Sequence, residues 1–244
     1  LGVDHGESPG DIDHDLLDAY LVPLFKKGDR MQTGNYRGIS LMSHLLKLMN
    51  KMILLRVRSR IDKYLLQSQG AYRPHRGTIQ HLLCLHHLLQ ASKSYSNLPL
   101  FVLFVDFSKA FDSVDRTQLA RILTMWRVPA RIQSAIFRVM EHQRLSLRGG
   151  LLQLLCSLGV LQGDTLAPFL FLLVMDYILR HLDHGRGAAL GDAISAGGTR
   201  SRPVLGVSAQ SFVSNLAYAD DVGLLARSFA DLEYNALLFV AAAK

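Results

Sequence analysis

Apolar positions follow two rhythms along this chain, short runs or alternations of strand length and longer stretches spaced at three and four. Tyr20 to Phe25 and Tyr36 to Leu41 read as two short strands joined across Lys26-Lys27-Gly28-Asp29, a basic turn. From Ser43 to Tyr64 the residues Leu45, Leu46, Met49, Met52, Ile53 and Val57 recur at helical spacing, so an amphipathic helix is predicted there. A second helix is expected from about Thr78 to Ala91, and another through Leu119, Ile122 and Leu123, capped by Ser113 or Asp115. Met125 to Met140 reads as a further helix with Pro129 near its start. Pro168 begins one that reaches about Leu182, and Ser228 to Val240 returns to the helical pattern. Arg144 to Gln153 is ambiguous and compatible with a hairpin carrying Arg148. Leu100 to Val105 is almost wholly apolar, as expected of a central strand buried on both sides. Residues 183–210, rich in Gly, Ala and Ser, read as a variable loop followed by a strand containing Val204 to Val207.

The acidic residues stand out against this pattern. Strand-like residues enter Ala217-Tyr218-Ala219-Asp220-Asp221 from Phe212 and leave through Val222, Leu224 and Leu225, which places Asp220 and Asp221 at a hairpin tip. Adjacent carboxylates flanked by apolar strand repel each other and lose hydration, and a divalent cation relieves both penalties. Asp also favours turns for purely local reasons. A second strand-end carboxylate, Asp106 after Leu100 to Val105, tips the balance toward metal chemistry, provided the two strands are sheet neighbours. His81, His86 and His87 lack the one-face spacing of a zinc helix and read as surface or core histidines.

Composition adds the class of partner. The first 18 residues hold six acids and no Lys or Arg, and the other 226 carry 27 basic against 14 acidic side chains, a net of +13. Between Lys26 and Arg76 twelve basic residues face two acids, Asp29 and Asp62. Such an excess implies a polyanion and salt-sensitive binding, and it would equally suit a ribosomal or membrane-surface protein. Lys47, Lys51, Arg56, Arg58 and Arg60 on the first long helix could follow a nucleic-acid backbone or simply face solvent. Cys84 and Cys156 sit in apolar surroundings, which suggests buried thiols in a reducing compartment. No secretory signal opens the sequence, and its longest apolar run, Leu166 to Met175, is too short to cross a bilayer.

Taken in order, KKGD, NYRGISL, QGAYRPHRGT, FVDFSKAFDSVD, GVLQGDTLAPFLF and AYADD resemble the blocks of the reverse transcriptase domain of non-LTR retrotransposons, and more distantly those of group II intron reverse transcriptases. The blocks cover roughly Leu21 to Leu225. The resemblance implies an α+β polymerase with fingers and palm, a central antiparallel sheet flanked by helices, and no thumb within this sequence. Residues 1–18 would be an acidic, weakly structured head, residues 19–98 fingers with a basic hairpin and helices, and residues 99–244 a partial palm interleaved with fingers elements around 125–165.

The implied activity is that of an RNA-directed DNA polymerase, adding deoxynucleotides to a primer 3'-OH by two-metal-ion nucleotidyl transfer in the service of retrotransposition. Asp106, Asp220 and Asp221 would hold two Mg2+ ions, with Mn2+ an alternative. By the same resemblance, Arg37 contacts the incoming triphosphate, assisted by Arg73 or by Lys26 and Lys27. Phe111 lies beneath the sugar and excludes a 2'-OH, and Gln162 brackets sugar and base. The implied partners are an RNA template, a DNA primer or RNA-DNA hybrid, dNTPs and further domains of the same polyprotein, with no membrane and a location in the nucleus or cytoplasm. Gln80, Leu161 and Ala167 depart from the family pattern, Leu161 and Ala167 replacing its usual Arg and Ser. Two other readings stay open: a catalytically weak or inactive nucleic-acid-binding remnant, and an unrelated two-metal nucleotidyltransferase.

Overall fold

A computed structural model describes residues 14–94, 99–147, 153–156, 158–189 and 212–244. Arg148 and the strand expected at Val204 to Val207 lie outside them, as does most of the acidic head. The fold is mixed α/β and divides into two compact units, one drawn from residues 1–59 and 111–170 and the other from residues 60–110 and 171–244.

The first unit is built on a four-stranded sheet in the order β2-β1-β4-β5. Strands β1 (Ala19–Phe25) and β2 (Tyr36–Met42) form the expected hairpin, paired from Ala19↔Met42 to Phe25↔Tyr36. β4 (Arg144–Leu147) runs parallel to β1, and β5 (Gln153–Leu155) returns antiparallel to it, so the ambiguous stretch is a hairpin. Its core is Leu17, Ala19, Met42, Leu46, Val139 and Leu145, with Leu161 and Cys156 packed against them. A short helix α1 (His14–Leu17) and most of α2 (His44–Ile61) belong to this unit.

The helix expected through Leu119, Ile122 and Leu123 is α4 (Arg116–Met125), and the one expected from Met125 to Met140 is α5 (Ala130–His142), which starts after Pro129. Arg127 takes a left-handed φ of 53° and Pro129 occupies the N-cap of α5, so the chain turns between them. Asp115 caps α4 as expected, its carboxylate accepting from Thr117 N at 2.6 Å and Gln118 N at 2.9 Å. Those backbone donors, Gln118 foremost, hold its carboxyl below the usual range.

The second unit carries a three-stranded antiparallel sheet in the order β3-β9-β8. Here β3 is Phe101–Val105, β8 is Asn215–Tyr218 and β9 is Asp221–Ala226, with a small pair β6 (Ala188–Ala189) and β7 (Phe212–Val213) beside them in the chain. One expectation fails: β3 is an edge strand, not a central one, and Phe101, Leu103 and Phe104 are exposed by 36%, 39% and 75%. The centre is β9, where Leu224, Leu225 and Ala226 are almost completely buried. An apolar, aromatic run is written alike for either position, and only the pairing partners separate them.

Helix α3 (Thr78–Ser94) contributes Cys84 and Leu88 to a core with Ala188, Val213, Leu216 and Leu225. Burial pushes the Cys84 thiol up to about 11, as expected of a thiol packed in an apolar core. Helix α6 (Ala167–Leu179) is buried along nearly its whole length, and α7 (Phe229–Ala243) starts at Ser228, whose hydroxyl accepts from Asp231 N at 3.1 Å. Among the described residues no helix is long and apolar enough to cross a membrane.

Candidate nucleotidyl-transfer site

The register of the three-stranded sheet decides where the acids fall. Val105, the last residue of β3, pairs with Val222, so Asp106, which follows the strand, falls level with Asp221. Tyr218 pairs with Asp221 and closes the β8–β9 hairpin, leaving Ala219 and Asp220 as its two-residue loop. Ala219 takes a left-handed φ of 57°, which Asp220 does not share. All three carboxylates therefore stand at one end of one sheet. Asp106 and Asp221 are exposed and Asp220 is half-buried.

Carboxylate oxygens suit a hard divalent ion such as magnesium, and backbone placement and donor chemistry fit one here. The side chains themselves are not gathered: among the described residues no three His, Cys, Asp or Glu side chains stand as a metal would need them.

What fixes the hairpin loop was not foreseen from sequence. A left-handed alanine costs roughly 1–2 kcal/mol. Gln69, completely buried, holds this one from 150 positions away: its Oε1 accepts from Ala219 N at 3.3 Å and its Nε2 donates to Ala219 O at 3.4 Å. The same Oε1 accepts from Ala71 N at 3.1 Å. Around it the backbones run as a parallel bridge, with Ala217 N donating to Ser68 O at 2.9 Å and Gly70 N to Ala217 O at 3.0 Å.

The segment bearing Gln69 is tied down in turn. Arg73, expected at the triphosphate, is buried and engaged within its own chain through every guanidinium nitrogen. Nε meets Asp62 Oδ1 at 3.1 Å, Nη1 donates to Leu66 O at 2.7 Å and Gln69 O at 3.2 Å, and Nη2 donates to Asp62 O at 2.7 Å. Asp176, wholly buried within α6, accepts from Leu66 N at 2.7 Å and pairs with Arg180 at 2.6 Å. Gln80, one of the departures, serves as a helix-start residue: Oε1 accepts from Gly77 N at 3.0 Å, the role an acid would also fill. A cleft of about 240 Å3 opens beside the hairpin, lined by Thr78, His81, Leu82, Phe104, Tyr218 and Asp221 among others.

The remaining expected residues belong to the first unit. Arg37 is exposed on β2 opposite Leu24, and Lys26 and Lys27 are exposed where the hairpin turns. That turn is set locally: Gly28 has φ 92°, Lys26 N donates to Asn35 O at 2.8 Å, and Asn35 Nδ2 donates to Asp29 O at 2.8 Å. Phe111 is half-buried and its carbonyl accepts from Val160 N at 2.9 Å. Gln162 is half-buried, its carbonyl accepting from Ser40 N at 2.7 Å. Gly163, at φ 112°, has no room for a Cβ because the Ser40 carbonyl occupies that space. Leu161, where the family pattern has Arg, packs on the core of this unit.

Asp164 is a further carboxyl that sequence reading passed over. Burial pushes its pKa up against the hydrogen bonds from Asn50 Nδ2 at 2.7 Å and Leu166 N at 3.1 Å.

Comparison with known proteins gives the family. Residues 25–240 match the family described as reverse transcriptase (RNA-dependent DNA polymerase). The chain is similar to the retrovirus-related Pol polyprotein from type-2 retrotransposable element R2DM of Drosophila melanogaster, 28% identical over 189 residues, which are 76% of this chain and 18% of that protein. It is also similar to the Pol polyproteins from type-1 retrotransposable element R2 of Popillia japonica and Nasonia vitripennis. The first is 28% identical over 84% of this chain and 26% of the relative, the second 25% over 92% and 20%. The chain thus spans between 18% and 26% of the length of these relatives. In fold it is similar to apo telomerase from Candida tropicalis truncated from its C-terminal domain, with TM-score 0.55 at 10% identity over 95% of this chain and 47% of that one.

Proposed function

Because the chain belongs to the reverse transcriptase (RNA-dependent DNA polymerase) family, we propose that it carries the nucleotidyl-transfer site of a retrotransposon polymerase, extending a DNA primer on an RNA template with dNTPs. The observation that carries this reading is the Val105↔Val222 register, which sets Asp106 level with Asp221 at the end of the sheet that also bears Asp220. In this reading the second unit is the palm and the first unit supplies fingers elements.

Asp106, Asp220 and Asp221 would hold two magnesium ions, which supply Lewis acidity at the primer 3'-OH and at the phosphates when bound. The primer 3'-OH gives up its proton to water, the bond formed joins the 3'-oxygen to the α-phosphorus, the bond broken is the one from the α-phosphorus to the bridging oxygen of the β-phosphate, and pyrophosphate leaves. Arg37 offers a planar, always-charged fork to phosphate oxygens, and Lys26 and Lys27 add point charges beside it. With the guanidinium of Arg73 spent on Asp62, Leu66 and Gln69, the phosphate contact falls to these three. Phe111 serves as the bulk against a ribose 2'-OH, and Gln162 as a sugar and base contact.

A second reading, a nucleic-acid-binding remnant, is favoured by the ungathered carboxylates. Primer extension on an RNA template with magnesium separates the two, using this chain and a longer chain that includes whatever downstream sequence its gene encodes. Extension by either chain, lost in Asp220→Asn, supports the polymerase. Template binding by both without extension supports the remnant.

A further inference from the structure

We propose that Gln69 is a positioning residue, a buried latch that holds the Ala219–Asp220 loop and thereby sets the direction in which Asp220 and Asp221 are presented. The loop is otherwise poorly determined. Its left-handed residue is Ala219, not glycine, and one of its two residues, Asp220, is half exposed. Against this, the carboxamide of Gln69 reaches both polar groups of the Ala219 backbone, accepting from N at 3.3 Å and donating to O at 3.4 Å.

The amide orientation is not arbitrary. Oε1 faces two backbone N–H groups, those of Ala71 and Ala219, and a flipped amide would set its NH2 against both donors. Gln69 is wholly buried, so no water substitutes for a lost partner, and removal of the amide strands both groups of Ala219. The latch is anchored at its base because Arg73 Nη1 donates to the carbonyl of Gln69 at 3.2 Å and its Nη2 to that of Asp62 at 2.7 Å. The QGAYR block and the AYADD block, far apart in sequence, are thus one structural device.

That the loop's direction matters for metal binding rests on the polymerase reading; that Gln69 holds the loop does not. Both are tested on the 244-residue chain. Hydrogen exchange followed by mass spectrometry reads peptides covering 212–226, and Mn2+ binding is read by water-proton relaxation. In Gln69→Met, which keeps the length and loses both hydrogen bonds, exchange of these peptides should rise about tenfold, with α5 peptides unchanged and Mn2+ bound about tenfold more weakly. Gln69→Glu supplies the conservative rescue. Buried and protonated near pH 5, its carboxyl offers one acceptor and one donor as the amide does, so exchange should match the wild type there and exceed it near pH 8, where it ionises.

Unchanged exchange at 212–226 in a folded Gln69→Met chain overturns the latch, and so does an equal rise in all peptides with no rescue by Gln69→Glu at low pH. A local rise in exchange while Mn2+ binding is indifferent to both Gln69→Met and Asp106→Asn keeps the latch and overturns the metal-site reading.

Discussion

The acidic hairpin β8–β9 and the basic hairpin β1–β2 are both antiparallel ladders, and they differ in what holds their tips. The basic tip is set by neighbours in sequence, Asn35 on Asp29 and Lys26 on Asn35, in contacts that lie largely in solvent. The acidic tip is set by Gln69, buried and 150 positions away, itself braced by Arg73. Exposed local hydrogen bonds exchange freely with water and contribute little net stability, whereas a buried polar contact is costly to leave half made. The lesson is that the two kinds of charge are held differently. The carboxylates rest on a buried, hydrogen-bonded base, and the cations Lys26, Lys27 and Arg37 are displayed on a surface where they can be changed with little harm to the fold.

The largest expected effect breaks this comparison at its base. Arg73→Leu leaves Asp62 and the carbonyls of Leu66 and Gln69 without their donor, and should lower stability by about 3–5 kcal/mol. Arg37→Leu, exposed on its ladder, should change stability by less than about 0.5 kcal/mol. Chemical denaturation of both variants reads the difference directly, and equal losses would remove the distinction between the two hairpins.

Next in size is Phe111. If its ring acts against the sugar, Phe111→Val in a chain active in primer extension should raise ribonucleotide use relative to deoxynucleotide use by at least about tenfold, equivalent to ~1.4 kcal/mol of lost discrimination. A half-buried ring that only packs would instead lower stability and slow both substrates together.

A smaller effect sharpens the role of the basic hairpin. Arg37→Ala should raise the apparent KM for dNTP severalfold while leaving the affinity for primer-template nearly unchanged. Arg56→Ala, on the exposed face of α2, should weaken primer-template binding and reduce its salt dependence. Titrations of dNTP in the extension assay and of duplex by fluorescence anisotropy at two salt concentrations resolve the pair.

Much of this was legible in the sequence because it is encoded by local pattern. The helices α2 and α3, the β1–β2 hairpin and the paired strands around Asp220 follow from spacing, and the blocks from KKGD to AYADD carried the family. What was not legible depends on partners distant in sequence. Leu100 to Val105 reads as a central strand because hydrophobicity records burial potential and not the number of strand neighbours. Arg73 reads as a free cation because nothing local announces Asp62 and three carbonyls around its guanidinium. Gln69 carries no charge and no motif of its own, and only the packing of its block on Ala217 to Ala219 discloses it. Leu161, which departs from the family's usual Arg, joins an apolar core that its local sequence does not announce.

The smallest expected effect concerns Asp164, a carboxyl of the first unit that burial pushes up. Asp164 has a folded pKa above its unfolded one, so its contribution to stability is present below the unfolded value and is lost as pH rises through the folded value. Asp164→Asn keeps an oxygen for Asn50 and Leu166 and cannot ionise, so stability should fall less between acid and neutral pH than in the wild type. Urea midpoints across that range check the sign; a steeper fall in the variant would contradict it.

The central claim is that the carboxylates at the β3 end and the β8–β9 tip act together on a divalent ion. Its most direct measurement is Mn2+ binding to the wild-type chain and to Asp106→Asn, Asp220→Asn and the double variant, read by water-proton relaxation alongside thermal unfolding. The account predicts that each single substitution weakens binding by at least about tenfold without lowering the unfolding temperature, and that the double variant is worse by much less than the product of the two, as for ligands of one shared site. Undiminished binding in Asp106→Asn, or fully independent effects of the two substitutions, would contradict it.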